Sequence, residues 1–243
     1  MIPEHYVWLV WSAAFLVPWA AVYLAFPAHR QAMIWSSLFT TPFGLTEPLF
    51  VPEYWNPPSL FNLAQRTGFD IESLIFCFGI GGIGAVLYNL LIGQKLEPAF
   101  REERQRSRHR FHIWALATPF LLFPFLYIFP WNPIYPGILA MAAGAIATAL
   151  CRPDLFQKIG LGCGLFLAYY IVFLIGLEVT APGYIARVWN LEALSGLAIV
   201  GMPVEELLFA VSFGAYWSGV YEHFTWRMNI GSITRGVGKQ PSE

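Results

Sequence analysis

Glu205 and Glu206 are the residues whose type and position first suggest chemistry. They follow Pro203 and head an apolar, aromatic run to Tyr221. A proline at the first helical position with acids in the first turn marks a helix start. A carboxyl at the head of an apolar helix must be solvated, paired or protonated, because a bare buried carboxylate costs several kcal/mol. Held protonated, it is a proton donor; ionised, it is a base. A second stretch repeats the arrangement. Gly68–Tyr88 aligns without a gap on Gly201–Tyr221, pairing Gly68 with Gly201, Glu72 with Glu205, Leu74 with Leu207, Phe76 with Phe209, Gly81 with Gly214 and Tyr88 with Tyr221. Upstream, Trp55-Asn56 matches Trp189-Asn190 after a one-residue shift. The chain therefore reads as a tandem repeat with an acid heading the last helix of each half.

The elements that must position these acids follow from composition. Of 243 residues, 57% are hydrophobic and 12% charged. A soluble domain is nearer a quarter charged, so an all-α integral membrane protein is expected. Runs of the ~17–25 residues that cross a bilayer fall at Tyr6–Phe26, Met33–Val51, Ile71–Ile92, Ile113–Phe129, Pro133–Leu150, Ile159–Leu177 and Val204–Tyr221. That makes seven transmembrane helices. Pro42, Glu47 and Pro48 interrupt the second, which is expected to be broken or re-entrant. MIPEHYVW carries no basic stretch before the first apolar run, so that run reads as a span, not a cleaved signal.

Basic residues set the orientation. Six of them, Lys95, Arg101, Arg104, Arg106, Arg108 and Arg110, lie in the loop Gln94–His112. With that loop cytoplasmic and spans alternating, Arg30, Arg152, Lys158, Arg227, Arg235 and Lys239 also fall inside, leaving Arg66 and Arg187 outside. The N-terminus is then outside and the C-terminus cytoplasmic, with the protein in the cell membrane. Glu47 falls on the outer side, and Glu72, Glu178, Glu205 and Glu206 lie within or at the outer lip of the apolar segments. The expected units are a three-helix repeat over 1–93, a basic loop and linker helix over 94–130, a second three-helix repeat over 131–226, and a tail over 227–243. The linker span makes the repeats parallel, so Glu72 and Glu205 should meet across a pseudo-twofold axis along the membrane normal.

Other patterns carry blander readings. Gly79-Ile80-Gly81-Gly82-Ile83-Gly84 satisfies G-x-G-x-x-G, but it lies mid-span with no strand before it, so close helix packing explains it better than a dinucleotide. His5, His29, His109, His112 and His223 fall in loops or tails and read as solvated interfacial side chains. Cys77, Cys151 and Cys163 form no C-x-x-C pair and read as small core residues, with no metal or disulfide framework. There is no nucleophile elbow, P-loop or acidic DDxxD cluster, and none of the proposed spans holds a lysine, which removes a retinal Schiff base. The acids themselves admit a capping role at helix N-termini, worth ~0.3–1 kcal/mol. Trp55, Asn56, Trp189 and Asn190 read as interfacial anchors, and Glu178 and Glu47 as partners that orient or share a proton.

PVEELLF at Pro203–Phe209, its twin DIESLIF at Asp70–Phe76 and the Trp-Asn stretch before each resemble the membrane-integral lycopene cyclases built from two similar three-helix halves. The resemblance implies a cofactor-independent isomerase that closes β-ionone-like rings on a carotenoid or other isoprenoid lipid. An acid protonates an end double bond, the carbocation closes the ring, and a base removes a proton. On this resemblance Glu205 is the donor, Glu206 its partner or base and Glu72 the equivalent group of the first half, with Asp70, Phe76 and Phe209 beside them. The first half departs from the family pattern at Asp70, where proline is expected, and at Ser73, where the second glutamate is expected. The alternative is a non-catalytic carotenoid- or lipid-binding membrane protein on the same fold, associated with other membrane proteins as a subunit of a larger assembly; a proton or ion carrier ranks last, because these acids lie at the bilayer edge. No nucleic-acid partner is indicated.

Overall fold

The computed structural model describes residues 2–93 and 96–229. Lys95, Arg235 and Lys239, counted above for orientation, lie outside those residues, as does 230–243 of the expected tail. The described chain is mostly helical. α1 (Glu4–Ala14) and α2 (Leu16–Ala25) form one apolar span interrupted at Phe15. The break has a local cause: Pro18 has no N–H to give and its ring crowds the carbonyl four residues back. α3 (Arg30–Thr40) passes into a nine-residue 3₁₀ segment, Thr41–Leu49, that opens at Pro42 and contains Pro48. The second predicted span is thus broken, as its prolines imply. α4 (Leu63–Thr67) leads to α5 (Ile71–Ile92), whose start is capped by the Asp70 side chain accepting from the Ser73 N–H. After β1 (Leu96–Pro98) and α6 (Arg101–Arg104) come α7 (His112–Tyr127), α8 (Ile134–Cys151) and α9 (Phe156–Thr180). α10 (Tyr184–Val188), the two-residue strands β2 (Ala198–Ile199) and β3 (Met202–Pro203), α11 (Val204–Thr225) and β4 (Arg227–Asn229) complete the order. β1 pairs with β4 and β2 with β3, both antiparallel.

Among the described residues, four segments are long and apolar enough to cross a membrane: Glu4–Ala25, Ile71–Ile92, Ile134–Cys151 and Pro153–Thr180. At 1.5 Å per residue the 22 residues of α5 reach about 33 Å, close to a ~30 Å hydrocarbon core. α11 has the same length but carries Glu205, Glu206 and Glu222; α7 is shorter at 16 residues.

Small residues let the helices approach. A Cβ on Gly81 would sit 2.8 Å from the Ser36 carbonyl oxygen of α3. One on Gly214, its match in the second stretch, would sit 2.7 Å from the Gly162 carbonyl oxygen of α9. The G-x-G-x-x-G run is therefore helix packing. α5 and α11 meet in the middle of the bundle, where Trp217 Nε1 donates to the Gly81 carbonyl at 3.0 Å. Gly44 lets the 3₁₀ segment press against α5, since a Cβ there would lie 2.7 Å from the Leu74 nitrogen. That contact carries Glu47 inward.

Three expectations need correction. Lys158 lies in the first turn of α9, within a membrane-crossing segment, and is buried against Glu222. Its long stem allows the ammonium to reach a partner that a window based on apolarity leaves out. His29, His109, His112 and His223 are buried, not solvated. Helix ends and the turn Ser107–Phe111 fold over three of them, with the Trp226 ring stacked on His112. Cys151 is buried beside two of those imidazoles, not among apolar side chains alone.

Candidate active site

Glu206 is in the first turn of α11 and is 3% exposed. Three donors converge on it. Tyr170 of α9 donates its hydroxyl to Oε2 at 2.7 Å, and Trp189 donates Nε1–H to Oε1 at 2.6 Å. Tyr54 donates its hydroxyl to the same Oε1. Burial, and then the adjacent Glu206 carboxylate, push the Tyr54 phenol well above its ordinary value, so it remains an O–H donor. Hydrogen bonds to a carboxylate are charge-assisted and about twice as strong as neutral ones.

The loops that deliver Tyr54 and Trp189 hold each other. The Asn56 N–H donates to the Val188 carbonyl at 2.8 Å, and the Asn190 N–H to the Tyr54 carbonyl at 2.9 Å, making a bridge between Trp55 and Trp189. The two indoles lie 5.3 Å apart. The Trp-Asn stretches thus pair with one another through their backbones. Asn190 also gives its amide to the Glu53 carbonyl at 3.1 Å.

Glu206 faces a partly open cavity of about 340 Å³, within the ~300–1,000 Å³ usual for small-molecule sites. Its walls are overwhelmingly aromatic and aliphatic, and no lysine or arginine among the described residues borders it. Phe76 and Phe209, at matched positions, both line it, as do Trp55 and Trp189. Glu47 is the second carboxyl on the wall; it is 8% exposed, and Oε1 has no hydrogen-bond partner. Ser73 lines the wall where Glu206 stands in the other stretch.

Glu72 and Glu205 are not brought together and do not border the cavity. Glu72 accepts from the Leu60 N–H at 2.7 Å. Glu205 accepts from the Tyr135 hydroxyl at 2.8 Å and the Ser195 N–H at 2.9 Å, so it ties the loop before α11 to α8. Successive residues on a helix point about 100° apart, so only one of Glu205 and Glu206 can face a given cavity. Glu178 accepts from the backbone N–H groups of Gly183 and Ile185 and caps the turn into α10. Asp70 caps α5. Tyr54 and Tyr170 were not singled out beforehand; Tyr54 directly precedes Trp55-Asn56, which is the one local signal that pointed to it.

A model of the lycopene cyclase family matches residues 132–224, from the start of α8 to the last turn of α11. Over this segment, less than half of the chain, the protein is similar to the lycopene cyclases. It supplies Tyr170, Trp189 and Glu206, while Tyr54 and Glu47 come from the part of the chain outside the match. No curated protein and no solved structure gives a significant match. The match supports a carotenoid-cyclase-like function in general, and the long apolar helices fit a membrane protein.

Proposed function

We propose that the chain is a cofactor-independent carotenoid end-group cyclase working at Glu206. The observation that carries the reading is a carboxyl with three hydrogen-bond donors at the wall of an apolar, aromatic cavity. The reaction is an isomerisation. A proton adds to the terminal double bond of a linear polyene end, leaving a tertiary carbocation. A nearby double bond attacks it, closing a six-membered ring, and the proton lost from the adjacent carbon restores a double bond. Atoms balance and no electrons leave.

Glu206 and Glu47 divide the work. Three donors suit Glu206 to holding negative charge, as counter-charge to the cation and as the base that takes its proton. Glu47, with a bare oxygen among apolar walls and no cation in contact, is better matched to carrying a proton, and is the donor. Rings facing the cavity offer their negative faces to the cation. A cavity of this size takes an end group, with the rest of the chain leaving toward the lipid. Seven crossings with the N-terminus outside and the basic loop cytoplasmic place Glu206 near the outer face. The pairing of Trp55 with Trp189 supports two related halves.

Expression in lycopene-accumulating cells tests the reading. The pigment should shift to cyclised products, and Glu206→Gln should abolish the shift. An unchanged pigment profile with wild-type protein properly inserted would overturn it. The competing reading is a carotenoid-binding protein without turnover, which a fully bonded structural Glu206 would also suit. It predicts co-purified pigment of unaltered structure.

A further inference from the structure

At the end of the bundle opposite Glu206, three side chains from separate elements converge. His109 lies in the turn Ser107–Phe111, His112 is the first residue of α7, and Cys151 is the last of α8. All three are buried, at 7%, 8% and 5% exposure. Cys151 Sγ is 3.5 Å from His109 Nδ1 and 3.6 Å from His112 Nδ1, and the three ligand atoms lie within 4.8 Å of one another. Two Nδ1 atoms facing one sulfur can share its proton as hydrogen-bond partners, and the same spacing is a ligand set. With Zn–S near ~2.3 Å and Zn–N near ~2.0–2.1 Å, a tetrahedral angle puts sulfur and nitrogen about 3.6 Å apart.

Two further observations point the same way. His223, from the last turn of α11, is fully buried with neither ring nitrogen hydrogen-bonded, and its ring stands edge-on to His112 with centroids 4.3 Å apart. A buried imidazole without partners costs free energy, and here it stands beside the three ligands as a candidate fourth. On the ring edge away from the sulfur, Glu103 Oε1 lies 3.3 Å from His109 Nε2, the carboxylate support that metal-bound histidines usually have. The nearby guanidiniums are already neutralised: Arg152 pairs with Asp154 at 2.6 Å and Arg108 with Glu103.

We propose that His109, His112 and Cys151 bind a zinc-class divalent ion, with His223 or water as the fourth ligand. Mixed imidazole and thiolate donors in tetrahedral spacing suit zinc among the divalent ions. The ion would staple the basic turn before α7 to the ends of α7 and α8, joining the linker segment to the second half. The site is remote from the cavity and independent of what the cavity binds.

The test uses the full chain, purified in detergent without a polyhistidine tag. Elemental analysis should find about one zinc per chain. After chelation, added Co²⁺ should give intense tetrahedral d–d bands and a sulfur-to-cobalt charge-transfer band. Cys151→Ser should remove the charge-transfer band, and His112→Gln should lower bound metal at least tenfold, with far-UV circular dichroism reporting that each variant remains helical. Zinc far below one per chain together with no Co²⁺ spectrum in the helical protein overturns the site. So does a charge-transfer band that survives Cys151→Ser. None of these readouts depends on ring closure.

Discussion

Asn89 donates its side-chain amide to Glu222 at 2.9 Å, and the two residues directly follow Tyr88 and Tyr221, the last matched pair of the two aligned stretches. Positions that the alignment places side by side, on α5 and α11, therefore touch at one end of the bundle, as Trp55 and Trp189 do at the other. Lys158 of α9 pairs with Glu222 and also donates to the Ala85 carbonyl at 2.9 Å. Removing one partner of a buried ion pair leaves the other charge uncompensated, at about 3–5 kcal/mol. Lys158→Met should lower the thermal midpoint in detergent by on the order of 10 °C. Lys158→Met with Glu222→Gln should recover most of that. A single variant as stable as the parent would show that the pair contributes nothing.

The cavity makes separate predictions for neighbouring carboxyls. Glu206→Gln and Glu47→Gln should each cut ring formation at least 100-fold. Tyr170→Phe removes one donor to a charged group, worth about 1.5–3 kcal/mol, or roughly 10–100-fold in rate if the bond strengthens as the cation forms. Glu205→Gln keeps the hydrogen bonds to Tyr135 and Ser195 within reach of the amide oxygen and should retain most turnover. Pigment analysis in lycopene-accumulating cells, normalised to inserted protein, ranks the four. Loss of activity in Glu205→Gln alone would move the chemistry out of the cavity.

The pattern of readability has a physical basis. Helix starts at Glu72 and Glu205, the break at Pro42 and the packing role of the glycines are local properties, visible in residue type and spacing. Which of Glu205 and Glu206 faces inward depends on the rotation of α11 about its axis, set by α8 and α9, and adjacent residues do not reveal it. Glu47 was legible as an interruption of an apolar run, but its position on the cavity wall depends on Gly44 lying against α5. His109 and His112 stand three residues apart, but Cys151 and His223 come from distant elements, so no spacing rule connects all four. Lys158 sat one residue beyond the apolar window that missed it.

Two glycines separate packing from mere flexibility. A Cβ on Gly81 would overlap Thr40 Oγ1 and lie 2.8 Å from a backbone oxygen of α3. Gly81→Ala should therefore cost about 1–3 kcal/mol through forced separation of α3 and α5. Gly160, in α9, has nothing within 4 Å of its added Cβ. Gly160→Ala should stabilise by about 0.5–1 kcal/mol, because it removes backbone freedom from the unfolded chain. Denaturation midpoints of the two variants should shift in opposite directions. A parallel shift would mean that helix propensity alone decides both.

Val200 offers a way to strengthen the approach to α11. The hairpin of β2 and β3 turns at Val200 and Gly201, both at positive φ, 52° and 79°. Positive φ at both central residues is a type I′ turn, which favours Asn-Gly. A β-branched side chain there crowds its own backbone, at about 1–2 kcal/mol, and Val200 recovers nothing from burial, being 89% exposed. Val200→Asn should raise the unfolding midpoint by the equivalent of ~1 kcal/mol and leave pigment conversion unchanged, because the turn does not border the cavity. Val200→Pro has the opposite sign, since its ring fixes φ near −65°. It should lower stability and, by loosening the loop that Glu205 holds through Ser195, disturb the start of α11 just before Glu206. Stability that falls with Val200→Asn would show that the turn is not of this type.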